Sequence, residues 1–231
     1  MPLEELETKA EERRRYRDMC REANRKTSRP ILYSAEMVRA YFDGKKTETR
    51  RPTGLEKINE SPDDWKLLIA NADAGYFTFE NTNGAIRTVK CPFGRIGDVL
   101  YGRETWATTN KFDKMKPFEL DSDCSPIFYC YYEILQAPDY YAIGRWRPSL
   151  HMPKWASRIH QTITGLKCQR LWDISLEDCW NEGIQGRAEN RIPTLRHSFK
   201  ALWDSIYGKK YPRSVNPFVW VLQYPKYEET K

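Results

Sequence analysis

Two periods of apolar residues run along this chain, and they change over at glycine and proline. In TLRHSFKALWDSIYG, Leu195, Phe199, Leu202, Trp203 and Ile206 recur at helical spacing, which predicts a helix with one buried stripe. Met37, Val38 and Tyr41 share one face of a shorter segment, which Ser34 caps and Gly44 stops, so a helix is expected to end at Phe42. Ser175 and Asp178 have the spacing of a capping box and predict a third, short helix that stops near Gly183. Strands are predicted at PILYS, AIRTVK, VLYGRETWA and the aromatic-rich PIFYCYYEIL, with a buried one at NPFVWVLQYP. IHQTITGLKCQRLW predicts a long strand or a hairpin.

Strands separated by short helices, without regular βαβ alternation, give an α+β fold around a small curved sheet or barrel. The closing strand is expected to pair with the N-terminal part of the body. Residues 1–29 read as a separate charged helix, with acids at its start, Arg13 to Arg17 and Arg21 to Lys26 at its end, and a thin apolar stripe. It is either a solvated helix or a basic arm that touches nucleic acid. The body, 30–231, carries turn-rich segments at about 52–85 and 107–126 that read as insertions.

Composition adds little and excludes more. With 38 basic against 32 acidic residues, the net charge of +6 leans only mildly towards a polyanionic partner. No apolar run is long enough to span a bilayer and the N-terminus is polar, so a soluble, cytoplasmic protein is expected. The six cysteines form no CxxC pair, and none of His151, His160 and His197 stands at metal-motif spacing from a cysteine pair. A reduced protein without metal or cofactor is the expectation.

Two stretches carry candidate chemistry. In FDGKKTETRRP, Lys46 and Thr49 are close enough in sequence for a tight turn to bring amine and hydroxyl together. A lysine desolvated beside Arg50 and Arg51 loses its proton more readily, and its neutral amine could activate the threonine as a nucleophile. The same residues also suit an exposed basic loop that binds phosphate. The second stretch interleaves Arg145, Trp146, Arg147, His151, Lys154, Trp155 and Arg158, a mixture suited to stacked bases and phosphates, or equally to packing at the rim of the core. Trp203, Phe218 and Trp220 are assigned to the core, and Cys179 to packing beside Trp180.

PILYSAEMVRAYFDGKKTETRRP, GDVLYGRETWA, RPSLHMPKWASRI, LWDISLEDCWNEGI, LWDSIYG and NPFVWVLQY, in that order, resemble the ASCH-domain proteins of phages and prophages, members of the PUA-like superfamily. The resemblance spans residues 30–224. It implies a small PUA-like β-barrel with short helices, of a kind that binds RNA or modified bases, in the cytoplasm of the host cell if phage-encoded. Within the family a small bacterial enzyme that deacetylates acetylated cytidine carries a Gly-x-Lys-Thr-x-Thr-x-Arg loop, which Gly44, Lys46, Thr47, Thr49 and Arg51 match; Arg50 stands where that loop has an aliphatic residue. The resemblance implies an amidohydrolase acting on an acylated nucleoside, with Lys46 as proton acceptor, Thr49 as nucleophile and Glu182 as proton donor. Thr47, Arg50, Arg51, Glu104, Trp106, Arg147, His151 and Trp155 would line the substrate. Glu104 is either a rival acid or an ion-pair partner of Arg50 or Arg51. The alternative function is a module that binds RNA or modified DNA without turnover.

Overall fold

Alternating apolar residues build three small sheets and a two-stranded pair in the computed structural model, which describes residues 27–124, 126–129, 143–184 and 191–228, backbone only at 123 and 191–194. The helix expected over 1–29 lies outside the described residues except for its last positions, and those are already extended: β1 is Ser28–Leu32. It pairs in parallel with β6 (Val99–Arg103), which pairs antiparallel with β9 (His160–Thr162). A second, antiparallel sheet runs in the order β10 (Gly165–Arg170), β11 (Phe218–Gln223), β2 (Glu48–Arg51), with β2 outermost. The third is a meander of β3 (Trp65–Asn71), β4 (Tyr76–Asn81) and β5 (Ile86–Lys90). Trp106–Ala107 (β7) pairs with Ile127–Phe128 (β8), and the rest of PIFYCYYEIL falls outside the description beyond Tyr129. The result is an α+β fold of small, mostly antiparallel sheets, and no sheet closes on itself among the described residues.

Helix α1, Ala35–Phe42, begins where Ser34 accepts a hydrogen bond from the Met37 amide, and it ends at Gly44, whose φ of 66° suits glycine. The capping box expected at Ser175 and Asp178 forms and opens α2, Leu176–Asn181. The long helix α3 is Arg191–Tyr207; Leu195, Phe199 and Trp203 are buried on it, but Ile206 is 45% exposed because the stripe outruns the core.

All three sheets and α1 share the main core. Ile31, Leu100, Phe77, Phe79, Leu166, Trp220 and Leu222 meet there with Met37 and Val38. Thus the turn-rich stretch over 52–85 supplies β3 and β4, and the inward Phe77 and Phe79 of β4 pack edge-on against Trp220 and Phe218. The opposite face of β11, Val219 and Val221, packs on a second cluster with α2 and α3. A third cluster gathers Trp106, Leu120, Cys124, Met152 and Ala156. IHQTITGLKCQRLW is neither a long strand nor a hairpin: it breaks at Ile163 and Thr164, and its two halves join different sheets. No helix among the described residues is long and apolar enough to cross a membrane.

Candidate functional site

Strand β2 lies between two cores, and side-chain alternation sorts its residues. Directly opposed residues of an antiparallel pair share a face. Thr49 and Arg51 oppose Leu222 and Trp220 and so face the main core, whereas Glu48 and Arg50 oppose Gln223 and Val221 and face the α2–α3 side. All four are buried, so FDGKKTETRRP is not the exposed loop its composition allows.

Lys46, 0% exposed, reaches across the outer edge of β2 to Glu182 at the end of α2, 4% exposed. Its Nζ donates to Glu182 Oε2 at 2.8 Å, to the Glu182 carbonyl at 2.9 Å and to the Glu48 carbonyl at 2.8 Å. Arg50 holds the other side of the carboxylate, with Nη1 at 3.2 Å from both Glu182 Oε1 and Glu48 Oε2 and Nη2 at 2.9 Å from Asp178 Oδ2. Asp178 thereby serves both the α2 capping box and this network. Arg51 donates to the carbonyls of Leu32 and Arg50, and its guanidinium lies over the Tyr33 ring. Gly183 makes the approach possible, since a Cβ there would come within 2.6 Å of Ala40 Cβ.

Lysine 46 is held below the ordinary lysine range by burial, against the opposing charge of Glu182. Burial alone would raise Glu182, but Lys46, Arg50 and Arg51 together carry its carboxyl below the usual range. The resting state is therefore an ion pair whose ammonium has its three protons committed. Transfer of one proton over the 2.8 Å to Oε2 converts it into a neutral amine beside a carboxylic acid.

Thr49 does not join this pair. In extended chain, positions three apart point to opposite sides, so the turn that would bring the Thr49 hydroxyl onto Lys46 does not form. Thr49 Oγ1 is fully buried and has no hydrogen-bond partner. On the same side, Tyr33 Oη contacts Gln161 Oε1 at 2.8 Å and Tyr224 Oη at 3.2 Å, and Tyr224 Oη contacts the Glu48 carbonyl at 3.2 Å. Two hydroxyl protons cannot serve three acceptors. The chain becomes continuous if the Gln161 amide is turned over, so that Nε2, otherwise unpartnered, donates to Tyr33, Tyr33 to Tyr224 and Tyr224 to Glu48. Burial pushes Tyr33 up to about 12 and Tyr224 well above its ordinary value. Glu48, Asp178, Tyr33, Tyr224 and Gln161 were all missed in the sequence; only Glu48, inside the loop itself, carried a local signal. The loop amides are committed too: those of Lys45 and Lys46 donate to the Ala40 carbonyl and that of Thr47 to the Asn181 carbonyl.

The remaining predicted site residues lie elsewhere. Glu104 pairs with Arg158, at 2.7 and 2.9 Å, which corrects the expected pairing with Arg50 or Arg51; that guanidinium is sandwiched between the Phe42 and Phe128 rings. Arg147 is buried, donates to the Phe112 and Met115 carbonyls and lies over Trp106. Trp106 is fully buried and packs edge-on against half-buried Trp155. Arg145, His151 and Lys154 are exposed. Phe218, Trp203, Trp220 and Cys179 are core residues, as expected, and burial raises the Cys179 thiol.

A cavity of about 410 Å³ opens between α1 and α3 beside Glu182. No protein-family model, curated protein or solved structure matches the chain.

Proposed function

We propose that this chain is an ASCH-type amidohydrolase of the PUA-like superfamily that removes an acyl group from the exocyclic nitrogen of a modified nucleoside. One observation carries the reading: Lys46 and Glu182, assigned as base and acid by resemblance to the family's loop and helix, stand 136 positions apart and meet at 2.8 Å. In this reading the pair is primed by transfer of the shared proton to Glu182. In the resting fold the two side chains leave the strand on opposite sides, so this reading requires substrate binding to turn Thr49 towards Lys46; Thr49 Oγ1 then attacks the acyl carbon while its proton passes to the Lys46 amine. The C–N bond breaks as the departing nitrogen takes the Glu182 proton, and water hydrolyses the acyl-threonine ester to a carboxylic acid. An unpartnered hydroxyl inside the protein is consistent with a group kept for a ligand, because a buried polar atom without a partner costs stability. The fold supports the reading only at the level of class, α+β with small, mostly antiparallel sheets.

A second reading, a module that holds RNA or modified DNA without turnover, is favoured by the closure of the site: Lys46 and Thr49 are fully buried, and the ammonium protons are all bonded. The two readings separate on incubation with acylated nucleosides and acylated short RNAs, followed by mass spectrometry. Deacylated product and free acid, absent with Thr49→Val, are expected. Tight, salt-sensitive binding with no product would transfer the site to the binding reading.

A further inference from the structure

The meander of β3, β4 and β5 ends in an edge that its neighbours leave open. Because β4 lies in the middle, β5 pairs on one side only. The Asn81 amide donates to the Ala85 carbonyl and the Cys91 amide to the Gly75 carbonyl, at the two ends of one register. Bonded pairs alternate along an antiparallel ladder, so Arg87 and Val89 turn their amides and carbonyls to β4 while Ile86, Thr88 and Lys90 turn theirs outward. No other backbone group among the described residues bonds to those outward amides and carbonyls. Apart from half-buried Val89, the strand is exposed.

Beside this edge runs a groove of about 260 Å³, walled by residues 54–58 on one side and by residues 87–90 of β5 on the other. Its cations are Lys57, Arg87 and Lys90, and its one acid is Glu56. Glu56 is already engaged: Oε1 accepts from the Gly54 amide at 3.1 Å and from Tyr211 Oη at 3.2 Å, and Lys210 Nζ stands 3.8 Å away. Lys57 pairs with Glu60 at 3.0 Å, but both are exposed, and such a pair is worth little in water. Lys90 lies over the Tyr76 ring, and Arg87 makes no ion pair among the described residues. The groove is therefore a basic one whose charges are free to meet a ligand.

An edge that alternates donors with acceptors is matched by another peptide backbone, whereas a phosphate chain offers acceptors only and would leave the carbonyls of Ile86, Thr88 and Lys90 unpaired. A second copy of β5 supplies the backbone but brings the same cations towards Arg87 and Lys90. Basic side chains on an edge strand guard against such self-pairing. A strand of opposite charge they attract. We infer that β5 is an acceptor edge for an extended, acidic segment of a partner protein, which joins the meander as a further strand and sets its carboxylates against Lys57, Arg87 and Lys90. Its backbone bonds to Ile86, Thr88 and Lys90 in the manner of strand addition, and Ile86, 59% exposed, gains an apolar neighbour. This surface does not depend on the amidohydrolase reading.

The test titrates the full chain with fluorescein-labelled Glu-Val-Glu-Val-Glu-Val-Glu, followed by anisotropy, beside its Lys-Val counterpart, the acidic peptide methylated at every backbone nitrogen, and a short polyuridine RNA. The acidic peptide is expected to bind about ten-fold or more tightly than the lysine and methylated versions, and to weaken with salt. Hydrogen exchange at the Ile86, Thr88 and Lys90 amides should slow on binding, while that at Arg87 and Val89, already bonded to β4, stays as it was. Thr88→Pro removes an outward amide without breaking a bond to β4 and should weaken binding about ten-fold. Arg87→Glu with Lys90→Glu should reverse the preference towards the lysine peptide; a thermal melt verifies each fold, and the charge reversal alone decides if the proline variant unfolds. Equal affinity for the methylated peptide overturns the proposal, as does no binding up to about 1 mM. RNA binding that the charge reversal abolishes, without slowed exchange in β5, gives the groove to a polyanion instead. Exchange at the outward amides that slows with protein concentration alone gives it to a second copy.

Discussion

Lys46, Arg50 and Arg51 on one side, and Arg145, Arg147, Lys154 and Arg158 on the other, begin as equivalent basic stretches and end differently. The first set is wholly buried: Lys46 and Arg50 meet Glu48, Asp178 and Glu182, and Arg51 donates to the Leu32 and Arg50 carbonyls. The second divides: Arg147 turns inward to carbonyls and a ring, Arg158 clasps Glu104, and Arg145 and Lys154 stay on the surface. What decides the outcome is the supply of carboxylates from distant parts of the chain. Burying a charge without a partner is prohibitive, so an arginine goes inside only where an acid or a set of carbonyls waits for it.

The contrast is sharpest in stability. Glu182→Leu leaves the buried Lys46 ammonium with two carbonyls and no counter-charge, and Arg50 Nη1 with Glu48 alone, and a loss of roughly 3–5 kcal/mol is expected in urea unfolding. The double variant Lys46→Met, Glu182→Leu should recover most of it; a single variant near wild type would erase the distinction between the two stretches. It follows that loss of activity in Lys46→Ala is informative only beside a fold control. Arg158→Met removes the bidentate partner of buried Glu104 and should lose roughly 2–3 kcal/mol, less than the first because that arginine is partly exposed.

pH separates the regions as well. Glu182 has its folded pKa depressed, so its contribution is present above the ordinary carboxylate pKa and is lost as pH falls through the folded value. Wild type should therefore weaken in acid more than Glu182→Leu does. At the alkaline end the sign reverses. Tyr33, raised from 10.0 to about 12, holds its proton in the folded state, so stability is intact below 10.0 and declines between the two values, by on the order of 2 kcal/mol. Tyr33→Phe should flatten that decline in a titration followed by tyrosinate absorbance.

Thr49→Val is expected to run against the usual direction of core substitutions. It deletes a buried oxygen that bonds to nothing, so melting should show stability unchanged or raised by up to about 1 kcal/mol, while any deacylation stops. Smallest of all, replacing Arg145, His151 and Lys154 together by alanine should alter stability by no more than about 0.5 kcal/mol. If nucleic acid binds that surface, the same variant should show a shallower salt dependence for a short RNA.

Local periodicity made the helices and β11 legible, because a stripe or a cap is written within a few residues. Ser34, Ser175 and Phe218 to Leu222 all do what their neighbours imply. Assignment to a sheet was not legible: alternation continues through IHQTITGLKCQRLW, and nothing local marks that Gln161 pairs towards Leu100 while Leu166 pairs towards Leu222. Likewise Phe77 and Phe79 look like any hairpin residues until Trp220 is set against them. At the site, the meeting of Lys46 and Glu182 came from the resemblance and not from spacing. Spacing suggested a Lys46 to Thr49 contact that the extended backbone forbids. The tyrosine and glutamine chain had no signal, being assembled from the residue after β1, from β9 and from the segment after β11.

Because β2 is an outermost strand, its free edge is where another chain could add itself and start aggregation. That border is instead sealed by the Lys46 side chain and by the Thr47 amide bonded to the Asn181 carbonyl. An invading strand would have to break an internal ion pair before gaining its first ladder bond. The same residues proposed for chemistry therefore also guard the protein against self-association.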